Sequence, residues 1–428
     1  MALNVKHGIF TAPTTNGSDT VISLPANFDP KAIILWTAYQ TAAGNTGADG
    51  IFSVGMGTYR GSVVQQRALS WFDDDGVGTS VCGYDYVSDA ILKGRSAQAT
   101  IDFECDLLSM SSSEVTLDWV DAPASAIRVH YFVLGGGDIT DALVDDILIT
   151  ADGNAQNETV ASGFGQPDLL IFLNGDRSAF AGGSGDAYLG IGAGYDAATG
   201  AEAILKTTNA AGSMNMASGM KANRLGQRLA GVAIDGESRL DARANWPADG
   251  FRITKPDAYT FQNRVSYLAL RGTFKVAIGR STTITTGSTV TLPGATGSTP
   301  RGLLLFHTNV PQQDTLNTTH ADLGYFGVGA FDGTSEGHAG VGNDDGNTTS
   351  IAYRTHSETK ALQMYSEGAA GVLESEADAS FSGANAILTF TDLDTVQRAF
   401  GWLLIGAAAA PTSLPLPHPA QRRTLLRM

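Results

Sequence analysis

The stretch Pro30-Lys31-Ala32-Ile33-Ile34-Leu35-Trp36 places a proline shortly before a run of apolar residues. The same arrangement returns at 167–173 and 300–306, so that Pro167 and Pro300 follow after 137 and 133 residues. Apolar residues that run without alternation predict a strand that is buried on both faces. Because duplicated units leave such a period in a sequence, the spacing indicates that one unit occurs three times.

Two further landmarks repeat with nearly the same period. The first alternates small and apolar residues and ends at Gly55, Gly192 and Gly329, which are 137 residues apart in each case. Glycine inside a strand marks the close approach of another backbone; the alternative is a bare surface that receives a sugar ring or a partner chain. The second landmark is an apolar strand that closes each unit, at 131–135, 267–270 and 402–406.

These patterns predict an all-β protein. Short strands separated by Gly and Asx turns, such as Asn16-Gly17, indicate antiparallel β-sandwiches of jelly-roll type. The 51 glycines and the charged fraction of 16% are typical of many strands and turns. One helical turn is expected at 140–144. The predicted domains are β-sandwich repeats at 1–137, 138–272 and 273–408, followed by an extended, proline-rich and basic C-terminal arm at 409–428.

Charge and hydropathy restrict the partners. A net charge of −16 argues against nucleic acid and anionic membrane surfaces, because both require clustered Lys and Arg. No apolar run approaches the ~18 residues of a membrane helix, so membrane insertion is not expected. The start of the chain shows no signal peptide, which predicts synthesis in the cytoplasm. Cys82 and Cys105 both lie in the first repeat and are expected to be buried thiols rather than a disulfide.

The C-terminal arm contrasts with the acidic body, since it carries arginines and no acid. One interpretation is a frayed terminus. The other is an arm that docks on an acidic partner or on a sister subunit. The docking candidates are its apolar and basic residues, Leu414, Leu416, Arg422, Arg423, Leu425, Leu426 and Arg427.

The carboxylates Asp102, Glu104 and Asp106 alternate along one predicted strand. Side chains two apart on a strand lie roughly 6.6 Å from each other. That separation is compatible with a glycosidase pair or with calcium ligands, and also with a solvated outer face. The acidic clusters at 73–76 and 344–346 are likewise calcium candidates, with turn chemistry as the alternative.

The segment Gly333-Thr334-Ser335-Glu336-Gly337 matches the G-x-S-x-G pattern of hydrolases, with His338 beside it. A nucleophile elbow requires a helix after the serine, and none is expected here, so a glycine-rich loop is favoured. The seven histidines show no zinc-ligand spacing. No catalytic residue, metal site or cofactor is therefore predicted.

Aromatic residues supply the ligand-binding candidates. Trp36, Trp119 and Trp402 occupy repeat landmarks and are expected in the core. Trp71 and Trp246 lie in the diverged segments, as do Tyr84 and Tyr86. Exposed aromatic rings of this kind stack on sugar rings; the alternative is that they close the end of a sandwich. The ligand-binding candidates are Trp71, Tyr84, Tyr86 and Trp246.

Three segments of the first repeat carry a resemblance to a known group of proteins. They are the stretch 30–36, Gln66-Arg67-Ala68-Leu69-Ser70, and Tyr131-Phe132-Val133-Leu134-Gly135-Gly136. Together they resemble β-sandwich modules in virion proteins of tailed bacteriophages and of phage-derived gene transfer agents, which serve as fibres, spikes or tail-tip parts. The resemblance implies a structural or host-recognition role, other virion proteins as partners, a homo-oligomer, and no catalytic residues. The Gln-Arg-Ala segment has no clean counterpart in the other two repeats.

Three hypotheses follow. The leading one is a non-enzymatic virion surface protein that attaches the particle to host cell-surface saccharide, with the arm as anchor. The second is a purely architectural connector or scaffold without a ligand of its own. The third is a polysaccharide hydrolase that uses Asp102 or Glu104.

Overall fold

The computed structural model describes residues 2–47, 49–74, 82–97, 100–184, 187–196, 199–210, 213–222, 226–230, 233–310, 316–317, 324–344, 351–366 and 371–408. These residues form 33 β-strands and one short 3-10 helix, Arg243–Asn245. Within these ranges no helix is long and apolar enough to cross a membrane. The all-β prediction is confirmed. The helical turn predicted at 140–144 is wrong, because those residues continue a strand from Ile139 to Ile149.

Each repeat contributes eleven of these strands. The first repeat forms β1 (Leu3–Thr11), β2 (Ser18–Ser23), β3 (Pro30–Thr37), β4 (Gly44–Gly47), β5 (Gly50–Arg60), β6 (Val63–Asp73), β7 (Cys82–Val87), β8 (Leu92–Ala97), β9 (Thr100–Met110), β10 (Glu114–Asp121) and β11 (Arg128–Gly136). The second forms β12 (Ile139–Ile149), β13 (Gln156–Thr159), β14 (Leu169–Arg177), β15 (Ala181–Ser184), β16 (Ala187–Asp196), β17 (Thr199–Ala210), β18 (Ser213–Ala222), β19 (Gly226–Ala230), β20 (Ala233–Leu240), β21 (Gly250–Asp257) and β22 (Asn263–Gly272). The third forms β23 (Lys275–Thr282), β24 (Thr289–Leu292), β25 (Ser298–Thr308), β26 (Leu316–Asn317), β27 (Gly324–Phe331), β28 (Glu336–Asp344), β29 (Ile351–Ser357), β30 (Leu362–Ser366), β31 (Val372–Ser382), β32 (Asn385–Asp392) and β33 (Ala399–Ala408).

The strands assemble into three seven-stranded and three four-stranded antiparallel sheets. The seven-stranded sheets have the orders β1-β11-β3-β5-β6-β7-β15, β12-β22-β14-β16-β17-β18-β26 and β23-β33-β25-β27-β28-β29-β4. The four-stranded sheets have the orders β2-β10-β9-β8, β13-β21-β20-β19 and β24-β32-β31-β30. The strand order is therefore the same in all three repeats.

The last strand of each seven-stranded sheet comes from a different repeat. Strand β15 of the second repeat pairs with β7 of the first, and β26 of the third pairs with β18 of the second. Strand β4 of the first repeat completes the series by pairing with β29 of the third. Each repeat thus gives its fourth strand to a neighbour, and the exchange closes a ring. Since an added strand covers the open edge of a sheet, the exchange also protects these edges.

Two kinds of hydrophobic core result. One cluster per repeat lies between its two sheets and contains residues of both, such as Leu35 and Trp119 in the first repeat. A single central cluster collects residues from all three repeats, including Trp36, Leu173 and Phe306. Neighbouring residues of β3 point alternately into one core and the other. The prediction that this apolar run is buried on both faces is confirmed.

The glycine landmark marks close backbone approach. A Cβ atom on Gly55 would lie 1.7 Å from the carbonyl oxygen of Ile91, and one on Gly329 would lie 1.9 Å from that of Ala361. Both contacts come from the chain just before the eighth strand of the repeat. Close approach of another backbone is therefore confirmed for these two positions.

The residues predicted to be in the core are buried. Trp36 and Trp119 are fully buried, and Trp402 is 4% exposed. Cys82 and Cys105 are buried and form no disulfide, as predicted. Burial raises the pKa of the Cys105 thiol well above its usual value, because an apolar environment disfavours the thiolate.

Candidate functional site

The two tryptophan candidates are not exposed. Trp71 lies on β6, is 0% exposed and belongs to the central cluster. Trp246 is 5% exposed, packs edge-on against Phe251 and donates from Nε1 to the carbonyl oxygen of Asp241 at 2.9 Å. The expectation of exposed loop aromatics is wrong for this pair. The physical reason is that the diverged segment around Trp71 is an inner strand, and the loop around Trp246 folds back onto its own core.

The tyrosine candidates lie at the junction between the first and second repeats. Tyr86 is 0% exposed, and its hydroxyl lies 2.7 Å from Ser266 Oγ. Burial raises its pKa well above the ordinary value. Tyr84 is half-buried, and the guanidinium of Arg177 lies 4.0 Å from the centre of its ring. Both rings are thus engaged by the second repeat, and the expected exposure is wrong for Tyr86 as well.

The Gln-Arg-Ala segment of the first repeat also contacts the second repeat at this junction. Arg67 Nη2 lies 2.8 Å from Asp146 and 3.1 Å from Asp145, both on β12. Asp146 is paired in addition with Arg264 of β22. The two guanidiniums lie 5.2 and 5.0 Å from the ring centre of Phe180. This network therefore joins the first repeat to the second.

The carboxylates Asp102, Glu104 and Asp106 point away from the core on β9, while Phe103 and Cys105 between them are buried. Glu104 is held in an ion pair with Lys93 at 2.5 Å. Partial burial, and secondarily the charge of Glu104, raise the pKa of Asp106 to about 6. The three carboxylates therefore lie on the outer side of the four-stranded sheet, where Glu104 is paired with Lys93.

No group of three or more His, Cys, Asp or Glu side chains within the described ranges is placed to hold a metal ion. In the first of the two acidic calcium candidates, Asp73 is buried at the end of β6. Residues 75–76 and 345–346 lie outside the described residues.

The G-x-S-x-G segment forms a turn that is clamped to β1. Strand β28 begins directly after the serine, where a nucleophile elbow requires a helix, so Glu336 and Gly337 belong to a strand rather than to the expected loop. Ser335 Oγ donates to the carbonyl oxygen of His7 at 2.8 Å. Asp332 accepts from Lys6 Nζ and from the backbone N–H groups of Thr334 and Ser335. Burial alone would raise the pKa of Asp332, but these hydrogen bonds outweigh it and lower the pKa to about 2.

The histidines, which look scattered in the sequence, converge in the structure. His7 Nε2 lies 3.4 Å from His130 Nδ1, and His130 Nε2 lies 2.9 Å from His356 Nδ1. These three residues, the histidine trio, are at most 2% exposed and lie between the first and third repeats. The ring of Trp36 stacks on His130 with centroids 5.1 Å apart. The trio members are 123 and 226 residues apart in sequence, so no local spacing could reveal them.

Burial determines the charge state of the trio. It lowers the pKa of His7 to about 4 and that of His130 well below its usual value, because a buried imidazolium loses its hydration. The pKa of His356 is also lowered by burial, although Glu358 nearby opposes the shift. All three rings are therefore neutral at pH 7. A second pair, His307 and His338, lies with its Nε2 atoms 2.9 Å apart in the third repeat.

A shallow groove of about 260 Å³ also lies between the first and third repeats. Its lining includes Asn4, Phe28, Arg301 and Asp332. Asp332 is already paired with Lys6, and Asn4 Nδ2 donates to the carbonyl oxygen of Phe28 at 2.9 Å. Its polar groups are thus largely engaged within the fold.

The predicted docking residues of the arm, from Leu414 to Arg427, lie outside the described residues, and their role stays a prediction.

No protein-family model matches the chain. The search of curated proteins likewise gives no match. Among solved structures, a variant fructofuranosidase from Schwanniomyces occidentalis, in complex with fructosylnystose, aligns over 90% of this chain and 100% of its own. Its sequence identity is 6% and its TM-score 0.13, so this likeness carries no argument about fold or activity.

Proposed function

We propose that the chain is a non-enzymatic structural protein of a phage-type virion surface, a fibre, spike or tail-tip component that attaches the particle to host saccharide. In this proposal each repeat is a jelly-roll-like β-sandwich domain. The observation that supports it best is the ring of exchanged strands around one central core. Such a body resists mechanical separation of its units, because each seven-stranded sheet is completed by a neighbouring repeat.

Exposed apolar side chains that precede the last strand of each repeat offer an attachment surface. Val120 at the end of β10 is 48% exposed. Phe261, between β21 and β22, is 64% exposed, and Val396, between β32 and β33, is 48% exposed. All three precede the last strand of a repeat. Phe261 provides an aromatic face for a sugar ring, which the buried Trp71 cannot provide.

The test has two arms. Labelled antibody against the protein, viewed on particles by electron microscopy, examines the virion location. Binding of the purified protein to host capsule or lipopolysaccharide examines the saccharide. We expect Phe261→Ala to weaken binding about tenfold, as loss of a stacking contact would. Val63→Ala, at an equally exposed position on the β5–β6 hairpin, serves as the matched control.

A purely architectural role is the second candidate. The burial of Trp71, Tyr86 and Trp246 favours it, since these aromatic side chains serve packing. Particles that carry the label while the protein binds no host saccharide would support this candidate over the first. Protein that is absent from particles would contradict both.

The C-terminal arm belongs to the same proposal as an anchor on other virion proteins. Deletion of 411–428 is expected to abolish incorporation into particles while leaving the far-ultraviolet circular dichroism unchanged. Normal incorporation of the shortened chain would remove the anchor from the proposal.

A further inference from the structure

The junction between the first and third repeats differs from the other two in its covalent connection. The first repeat continues into the second within two residues, from Gly136 to Ile139, and the second into the third from Gly272 to Lys275. The described parts of the third and first repeats are joined by non-covalent contacts. Their strand pairing is that of β4 with β29, in which His356 lies opposite Gly44.

Strand pairing identifies the residues that occupy the same place at each junction. His130, Ser266 and Gly401 correspond, because they pair with the equivalent residues of β3, β14 and β25. His356, Tyr86 and Met220 correspond in the same way across the sixth and seventh strands of each repeat.

The corresponding pairs have very different chemistry. At the first–second junction the pair is Tyr86 and Ser266, 2.7 Å apart. At the third–first junction it is His356 and His130, 2.9 Å apart. At the second–third junction the places are held by Met220 and Gly401. The architecture therefore does not require histidine at this place, and of the three pairs only that of the third–first junction consists of imidazoles, which take up protons in mildly acidic solution once they are exposed.

The same comparison applies to the third member of the trio. His7 corresponds to Val144 and Ile278, since each pairs with the residue that follows the landmark aromatic in the last strand. Histidine thus replaces an apolar residue at the third–first junction.

The charged side chains around the trio already form ion pairs with one another. Lys6 pairs with Asp332, and Arg128 Nε lies 3.2 Å from Glu358. Glu358 lies 3.5 Å from His356 Nε2, and its side chain is 39% exposed. The titratable and charged groups that face the trio from the packed elements are Lys6 on β1, Arg128 on β11, Asp332 before β28, His338 on β28 and Glu358 after β29.

Protonation would remove what holds the trio together. An imidazolium donates from both nitrogens, so the bond between His130 and His356 loses its acceptor when both rings are charged. It would also place like charges about 3 Å apart in a buried space, where water does not screen them. The only acid within reach of His356, among the groups just named, is the half-exposed Glu358.

We propose that the third–first junction is a pH-operated release. When acid protonates the histidine trio, β4 separates from β29 and the ring opens at this one place, while the two covalently connected junctions stay closed.

Burial of the histidines determines whether the closed junction loses stability at low or at high pH, and over which pH range. A histidine that is neutral in the folded state takes up protons more readily once it is exposed. Its contribution to the closed state is complete above about pH 6.5 and is lost as the pH falls from there toward about 4, the pKa of His7.

Hydrogen exchange of the intact protein tests the proposal. Protection factors, corrected for intrinsic exchange rates, would be compared at about pH 7.5 and about pH 4.5. We expect amides of β4 and β29 to lose protection about tenfold or more, while those of β7, which pairs with β15, keep theirs. Unchanged protection of β4 and β29 would overturn the proposal, and so would equal loss at both junctions.

A double variant supplies the matched control. His130→Ser with His356→Tyr copies the pair of the first–second junction, and neither new side chain titrates in this window. It is expected to keep β4 and β29 protected at the lower pH. Loss of protection as large as in the natural protein would contradict a role for the trio. Should the variant fail to fold, the comparison of the two junctions within the natural protein remains decisive.

Discussion

Gly55 and Glu158 show how single residues tie neighbouring segments together. At Gly55 the backbone of β5 passes directly under the carbonyl oxygen of Ile91, and a side chain would fill that gap. Glu158 lies on β13 and accepts a hydrogen bond at 3.2 Å from the hydroxyl of Tyr267, which reaches it from β22. In both cases the contact joins a strand of the seven-stranded sheet to the opposite layer of the same repeat.

Substitution of Gly55 by alanine should be costly. The new Cβ would lie 1.7 Å from a backbone oxygen, so a strand or the β7–β8 connection must shift. We expect the free energy of unfolding to fall by about 3 kcal/mol, which is at the upper end of the costs measured for overpacked cores. Denaturant unfolding measures it. Gly153→Ala, where the nearest atom is 3.8 Å away, is the control, and equal midpoints for both variants would contradict the expectation.

The carboxyl of Glu158 gives a pH-dependent prediction. Burial raises its pKa to about 7; Asp145 and Asp146 add to the shift, against the hydrogen bond from Tyr267. A carboxyl whose pKa is raised on folding loses stabilising effect as the pH rises from about 4.5 through 7. Glu158→Gln should therefore stabilise the protein by about 1 kcal/mol at pH 8, allowing for partial exposure, and change little near pH 4.

Thermal unfolding at both pH values checks this prediction. Glu114→Gln, on the exposed side of β10, provides the comparison. A stabilisation of Glu158→Gln that is the same at both pH values would show that charge is not its cause.

At the scale of elements, the exchanged strands and the network around Arg67 fix adjacent repeats to one another. The third–first junction combines β4 and the histidine trio with the ion pairs Lys6–Asp332 and Arg128–Glu358. The first–second junction has β15 together with charged and aromatic contacts, including Phe180 between two guanidiniums. The same strand arrangement is thus held together at its junctions by different kinds of side-chain contact.

Two arginines of the first repeat provide a matched test of the first–second junction. Arg67 is 14% exposed and pairs with Asp146, which is 10% exposed; Arg60 is 41% exposed and pairs with Asp141. Arg67→Ala should cost about 2 kcal/mol, because a desolvated carboxylate loses a partner. Arg60→Ala should cost about 0.5 kcal/mol or less, as for exposed ion pairs. Equal costs in denaturant unfolding would show that burial of the pair is unimportant.

At the scale of the whole molecule, the central cluster makes the repeats interdependent. Each seven-stranded sheet packs one face on its own four-stranded sheet and the other on sheets of the neighbouring repeats. A repeat removed from the ring would expose that second face and lose the strand it receives. Folding of one unit is therefore coupled to the presence of the others.

A fragment experiment tests this coupling. The second repeat alone, 138–272, is expected to aggregate or to lack cooperative thermal unfolding, because Ile171 and Leu173 of the central cluster would have no neighbouring repeat to cover them. The full chain should unfold in one cooperative transition. Circular dichroism and sedimentation of the fragment beside the full chain are the measurements, and a soluble, cooperatively folding fragment would contradict the prediction.

The sequence determined the local and periodic features of the protein. Apolar runs such as 32–36 predicted strands buried on both faces, and the glycine landmark predicted close backbone approach at Gly55 and Gly329, because both depend on residues near one another in the chain. The short connections between repeats likewise follow from the three-fold period. The all-β class was therefore within reach of the sequence.

Only the tertiary structure decided which repeat completes which sheet and which side chains meet. Strands β4, β15 and β26 are too short and too weakly patterned to reveal a partner, and Trp71 is buried because sheets of other repeats cover its strand. His7, His130 and His356 come together for the same reason. Contacts between residues more than a hundred positions apart depend on how the three repeats close into a ring, and local spacing carries no record of that closure.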